Sequence, residues 1–128
     1  MNKIVLITGA TSGIGEACAR RFAIGGYDLI LTGRNQVKLD ALQQQLNGDG
    51  ADVKLLKFDV RDRKAATDAV GTLSGKWCDV DVLINNAGLA VGLDKEYEGN
   101  PDEWDMMIDT NIKGMLTMTR LIVPHMVE

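Results

Sequence analysis

The sequence predicts an α/β fold built on one mostly parallel, doubly wound sheet with its strands in the spatial order 3-2-1-4. Three observations carry this. Apolar runs alternate with helical patterns along all 128 residues, a βαβαβαβα rhythm without a linker or low-complexity stretch. Strands separated by helices pair in parallel through right-handed crossovers, which places helices on both faces of the sheet. The first apolar run, Ile4-Val5-Leu6-Ile7, feeds a helix through a glycine-spaced turn. In the 3-2-1-4 order the first and fourth strands meet where the winding reverses, and ligands bind outside the carboxyl ends of the strands there.

In chain order, strands are expected over 3–8, 27–32, 53–58 and 79–85, and helices over 13–25, 35–47, 62–74 and 101–123. Gly25-Gly26 and Gly48 stop the first two helices in the left-handed conformation that glycine tolerates. Asn35 and Asp62 have the side chains of N-caps for the second and third. The fourth opens on Asn100-Pro101-Asp102-Glu103, which combines an Asn cap, a proline at the first helical position and a glutamate at the third. Pro124 should kink or end that helix.

Length and composition (45% hydrophobic, 25% charged) fit a single domain over 1–128 with a core of its own. A net charge of -4 leaves no basic stripe for nucleic acid or an anionic membrane surface. No apolar run is long enough to span a bilayer, and the N-terminus leads into a strand rather than a cleavable leader, so a cytoplasmic location is expected. Cys18 and Cys78 read as reduced, packed thiols. His125 is the sole histidine, at a helix end, so no metal-ligand spacing is present.

The turn Thr8-Gly9-Ala10-Thr11-Ser12-Gly13-Ile14-Gly15 has the spacing Gly-x-x-x-Gly-x-Gly. It is neither the strict G-x-G-x-x-G fingerprint, because Cys18 stands where its last glycine would be, nor a Walker loop. Glycines let this backbone approach a ligand closely, and the following helix offers unpaired N–H groups and a positive dipole end. A pyrophosphate is therefore expected over Gly9 to Gly15. About twenty residues on, where an acidic side chain would accept a ribose 2′-hydroxyl, the chain reads Thr32-Gly33-Arg34-Asn35, and Asp28 lies at the wrong end of the strand. Arg34 offers a fork of donors suited to a phosphate. Asn85-Asn86-Ala87-Gly88 closes the fourth strand, with amides able to tie strand ends together and small residues that leave room for a ribose.

Together, Thr8-Gly9-x-x-x-Gly13-x-Gly15 and Asn85-Asn86-Ala87-Gly88 resemble the classical short-chain dehydrogenase/reductase family over the whole chain. The resemblance implies a Rossmann-like sheet, here truncated after four strands, and NADP(H) as cofactor. By it, Gly9, Thr11, Ser12, Gly13, Ile14 and Gly15 cradle the pyrophosphate, Gly33-Arg34 looks like an NADP-type pocket, and Asp59 and Val60 hold the adenine. Asn86, Ala87 and Gly88 line the cofactor site. Asn111, in Asp109-Thr110-Asn111-Ile112-Lys113-Gly114, matches the asparagine that holds a relay water in the family's catalytic set. On the residues alone, Asn is a poor mid-helix residue, and Gly114 hints at close packing or a local distortion. Trp77-Cys78-Asp79, Gly88-Leu89-Ala90-Val91-Gly92 and Met107-Ile108-Asp109-Thr110-Asn111 look like the NADP-dependent serine and 3-hydroxy acid dehydrogenases, which implies a small hydroxy-acid substrate.

The family's Tyr-x-x-x-Lys motif does not occur in these residues: the fourth neighbours of Tyr27 and Tyr97 are Leu31 and Pro101. The expectation is a cofactor-binding half that is inactive alone; a nucleotide-binding or self-associating module without catalysis is the alternative. An exposed edge at Val80-Asp81-Val82-Leu83-Ile84 favours a homo-oligomer, and the methionine and leucine stripe Met107, Met115, Leu116, Met118, Leu121 and Met126 reads as core and interface surface.

Overall fold

A computed structural model describes residues 1–11, 13–88 and 98–128. Ser12 and the segment Leu89-Ala90-Val91-Gly92 therefore lie outside the described residues. Strands β1 (Ile4–Ile7), β2 (Asp28–Gly33), β3 (Val53–Lys57) and β4 (Val82–Ile84) form one sheet in the order β3-β2-β1-β4, all pairs parallel. The register sets Val5 beside both Leu29 and Val82, and Leu29 beside Val53. This is the predicted doubly wound order.

Helices α1 (Gly13–Ile24), α2 (Gln36–Gly48), α3 (Arg63–Gly71), α4 (Pro101–Ile108) and α5 (Met115–Met126) cover the sheet. Side chains alternate across β1, so two cores form. Ile4 and Leu6 pack with Ile30, Leu56, Phe58, Met118 and Ile122 on the α3 and α5 face. Val5 and Ile7 pack with Leu29, Leu31, Leu39, Leu42 and Leu46 on the α1 and α2 face. Burial on both sides is why Ile4-Val5-Leu6-Ile7 reads as continuously apolar. Each such side chain contributes about 1.5–3 kcal/mol.

The caps act as expected at three helix starts. Asn35 Oδ1 accepts from the Lys38 N–H at 3.0 Å, Asp62 Oδ1 from Ala65 at 3.0 Å, and Asn100 Oδ1 from Asp102 at 2.9 Å. The last bond reaches the second helical residue, one short of the capping-box position.

Four local readings need correction. Gly48 is the last residue of α2, and the left-handed turn comes at Gly50 (φ 95°); at the end of α1 it is Gly26 (φ 84°) that turns. Pro124 stays inside α5, which runs on to Met126. It sits in the last turn, where few intrahelical bonds remain to be lost. Residues 101–123 are not one α-helix: Asp109–Gly114 is a π-helical segment between α4 and α5. Cys18 is half-buried against the α1 and α2 core, but Cys78 is exposed, in a 3-10 turn over Gly75–Cys78 with its Sγ 3.4 Å from the Leu73 carbonyl.

Candidate cofactor site

The carboxyl ends of β1 and β4 are tied together by Thr8. Its Oγ1 accepts from the backbone N–H of Asn86 at 3.0 Å and of Ala87 at 2.9 Å, while its own N–H donates to the Ile84 carbonyl at 3.0 Å. Thr8 is 1% exposed, so these bonds are made out of water. Asn86 closes the junction from the other side, donating from Nδ2 to the Gly9 carbonyl at 3.0 Å. Asn85 points the opposite way and donates to Thr119 Oγ1 on α5 at 3.1 Å. Asn86 thus ties the ends of neighbouring strands as expected, whereas Asn85 reaches a helix instead, and Thr8, given no role from the sequence, is the hub. A hydroxyl residue between the apolar run Ile4-Val5-Leu6-Ile7 and the first glycine of the turn was the available signal.

The glycines divide into two kinds. A Cβ on Gly9 (φ 63°) would lie 2.9 Å from the Ala87 Cα, and one on Gly15 would overlap the Gly9 carbonyl oxygen and Asn86 Nδ2. Both let backbone pack against backbone. Gly13, also left-handed (φ 55°), would meet nothing within 4 Å, so its side of the turn is open space at the start of α1. Ile14 beside it is 74% exposed.

This turn opens into a cleft of about 840 Å³. Its wall includes Gly9, Thr11, Ile14, Arg34, Asp59, Val60, Asn86, Ala87 and Gly88 from the sequence-selected residues. Gly33, Lys38, Phe58 and Thr110 join them. Gly13 and Gly15 do not line the wall; Gly15 lies behind it as the packing point just described. Arg34 stands at the carboxyl end of β2 with its side chain 64% exposed. Asp28 begins the same strand, 5% exposed and bonded to Asn2 and Lys76, remote from the cleft.

Asp59 is not a bare acceptor. Arg61 donates from Nη2 to Oδ2 at 2.7 Å, from Nε to both carboxylate oxygens at 3.0 and 3.1 Å, and from its backbone N–H to Oδ1 at 2.9 Å. Arg34 Nη1 lies 3.9 Å from the same Oδ2. Arg61's hydrogen bonds hold the Asp59 carboxyl below its ordinary pKa against the opposing effect of burial, with the charges of Arg61 and Arg34 adding to them. Asp59 in turn raises Arg61, and Asp109 adds to that. An Asp-x-Arg turn is the sequence signal that went unread.

Asn111 does not line the cleft. It lies in the π-helical segment, with its Oδ1 3.5 Å from where a Gly88 Cβ would stand. Both features hinted at by Gly114 are present: the segment is π-helical, and a Cβ there would lie 2.7 Å from Val60 Cγ2. Single π turns recur at functional sites. The segment thus meets the loop after β3 at Val60 and the loop after β4 at Gly88.

The family model described as short chain dehydrogenase matches residues 3–128. The chain belongs to the short-chain dehydrogenase family. It is 47% identical over 125 residues to the NADP-dependent 3-hydroxy acid dehydrogenase YdfG of Salmonella typhi, covering 98% of this chain and 49% of that protein. It is 44% identical over 128 residues to sulfoacetaldehyde reductase 2 of Chromohalobacter salexigens, covering 100% of this chain and 50% of that one. The closed form of serine dehydrogenase complexed with NADP+ superposes with a TM-score of 0.91 at 43% identity, over 97% of this chain and 49% of the other. The chain spans about half the length of the curated relatives it matches. Among the described residues, no helix of this short-chain dehydrogenase is long and apolar enough to cross a membrane.

Proposed function

We propose that this chain forms the NADP(H)-binding part of a short-chain dehydrogenase that moves a hydride between the cofactor and the hydroxyl or carbonyl carbon of a small hydroxy acid such as serine or a 3-hydroxy acid. The observation that carries it is Arg34, an exposed cation at the carboxyl end of β2, on a strand whose own carboxylate, Asp28, lies at the far end. That charge pattern suits a ribose 2′-phosphate better than a 2′-hydroxyl. The cradle also fits: Gly9, Thr11 and Ile14 line the cleft at the start of α1, where the first N–H groups of the helix lie. In this reading Gly9, Thr11, Ser12, Gly13, Ile14 and Gly15 hold the pyrophosphate, Arg34 the 2′-phosphate, Asp59 and Val60 the adenine, and Asn86, Ala87 and Gly88 the nearer ribose.

When bound, the nicotinamide would donate or accept the hydride. What these residues supply is orientation, and Asn111, in the π segment beside Gly88, is the residue that would hold a relay water. The named relatives act on 3-hydroxy acids, serine and sulfoacetaldehyde, small skeletons with an acidic group near the hydroxyl or carbonyl carbon, which supports the substrate class. Lacking Tyr-x-x-x-Lys among its residues, the 128-residue chain by itself should bind cofactor without turnover. Apolar side chains left in solvent on α4, the π segment and α5, namely Trp104, Ile108, Ile112 and Leu116, support a homo-oligomer.

Calorimetric titration of the chain with NADP+ and NAD+ tests this. NADP+ should bind at least tenfold more tightly, and Arg34→Ala should cost NADP+ about 1.5–3 kcal/mol while barely changing NAD+. Equal or tighter binding of NAD+ would refute the cofactor assignment.

A further inference from the structure

Asp59 places a carboxylate in the wall of the same cleft as Arg34. Left bare, it would undo the charge pattern that the Proposed function rests on, because a carboxylate near a phosphate is repulsive and because Arg34, 3.9 Å away, would be drawn to it. Arg61 weakens both: it makes the close pair with Asp59 at 2.7 Å and leaves Arg34 only the outer one at 3.9 Å. Its guanidinium takes Asp59 through three side-chain contacts and its backbone N–H adds a fourth, while both side chains are only 28% exposed. Arg61 itself stands behind Asp59, outside the cleft wall given above. We propose that Arg61 is a specificity-determining residue: it neutralises Asp59, so that the charge of Arg34, with Lys38 in the same cleft wall, is left for a ligand carrying a 2′-phosphate. A ligand with a 2′-hydroxyl carries no charge at that place, so the same neutralisation does little for it.

The inference rests on the NADP(H) reading, and one set of titrations separates the two. The unsubstituted chain, Arg61→Met, Arg61→Lys and the double variant Asp59→Asn/Arg61→Met are titrated with NADP+ and NAD+ at low and high salt, with thermal melting to establish folding. In Arg61→Met the ratio of NADP+ to NAD+ affinity should fall on the order of tenfold at low salt, and the fall should shrink at high salt because it is a charge effect between partly exposed groups. Arg61→Lys, which keeps the charge, should hold most of the ratio. The double variant should recover it, since removing the Asp59 charge removes the need for its partner; any loss of adenine contact falls on both ligands alike and leaves the ratio unmoved. A normal ratio in the unsubstituted chain that persists in Arg61→Met, or a ratio that Asp59→Asn fails to restore, would overturn this role for Arg61 alone. Should Arg61→Met not fold, a ratio in Arg61→Lys as low as tenfold below the unsubstituted chain would do the same. Equal affinities in the unsubstituted chain would overturn the cofactor reading, and this inference with it.

Discussion

Gly13 and Gly15 stand two residues apart in one turn, yet different physics requires glycine at each. At Gly13 the constraint is backbone conformation alone, since φ is 55° and the space beside it is empty. Alanine there should cost about 1–2 kcal/mol of stability and leave the fold intact. At Gly15 the constraint is contact: a methyl group would overlap the Gly9 carbonyl and Asn86 Nδ2, whose hydrogen bond is one of those closing the junction of β1 and β4. Backbone cannot yield as a flexible side chain can, so Gly15→Ala should cost 3 kcal/mol or more, at the upper end of overpacking penalties. Thermal melts of the two variants against the unsubstituted chain decide this; equal losses would refute the distinction. Spacing alone reveals that both positions are glycine, but not which one is held by backbone conformation and which one by packing, because that depends on where the fourth strand lies.

At the scale of elements, most of what organises the molecule was legible because it is local or periodic. Asn35, Asp62 and Asn100 cap their helices through bonds two or three residues away, and the sheet order follows from the alternation of strands and helices. The π segment was only half legible. Asn111 and Gly114 looked wrong for a regular helix, but the partner that explains Gly114 is Val60, far away in sequence. The Asp59–Arg61 fork was missed for another reason: an aspartate before an arginine reads equally as a solvated turn, and only the cleft wall gives it meaning. Gly114→Ala measures how tightly the π segment is held. Alanine gains roughly 1 kcal/mol in helix preference, but its methyl group would press on Val60 Cγ2 and lie 3.2 Å from the Val60 carbonyl. A net loss of about 1–2 kcal/mol is expected from overpacking. Combined with Val60→Ala, the loss should be smaller than the sum of the two single variants, because the residues touch. Strict additivity in denaturant titrations would show that the contact carries no energy.

Over the whole molecule, the two ends of the sheet carry two differently placed ion clusters. At the carboxyl end Asp59 lies between Arg61 and Arg34 in the cleft. At the opposite end Lys76 bridges Asp28 and Asp52, fastening the 3-10 turn to the starts of β2 and β3, while Asp28 also accepts from Asn2 and from the Asp52 N–H. Burial pushes the Asp28 carboxyl up, but bonds from Asn2, Lys76 and the Asp52 backbone, with the Lys76 charge, more than offset it and leave the pKa below the ordinary value of 3.8. The unfolded chain therefore holds the proton more tightly than the folded one, and stability falls as pH drops. This contribution is fully present above about pH 4–5, near and above the unfolded carboxyl pKa, and is lost as pH falls through the lower folded value. Asp59 has the same sign at the other end. Asp28→Asn should lose on the order of 1–3 kcal/mol at neutral pH, because it weakens a buried charge-assisted network. It should also flatten the fall in melting temperature below pH 4, having no proton to take up there, whereas the acid-side slope contributed by Asp59 should remain. An acid limb as steep in Asp28→Asn as in the unsubstituted chain would mean that the network at the amino end of the sheet does not govern acid stability.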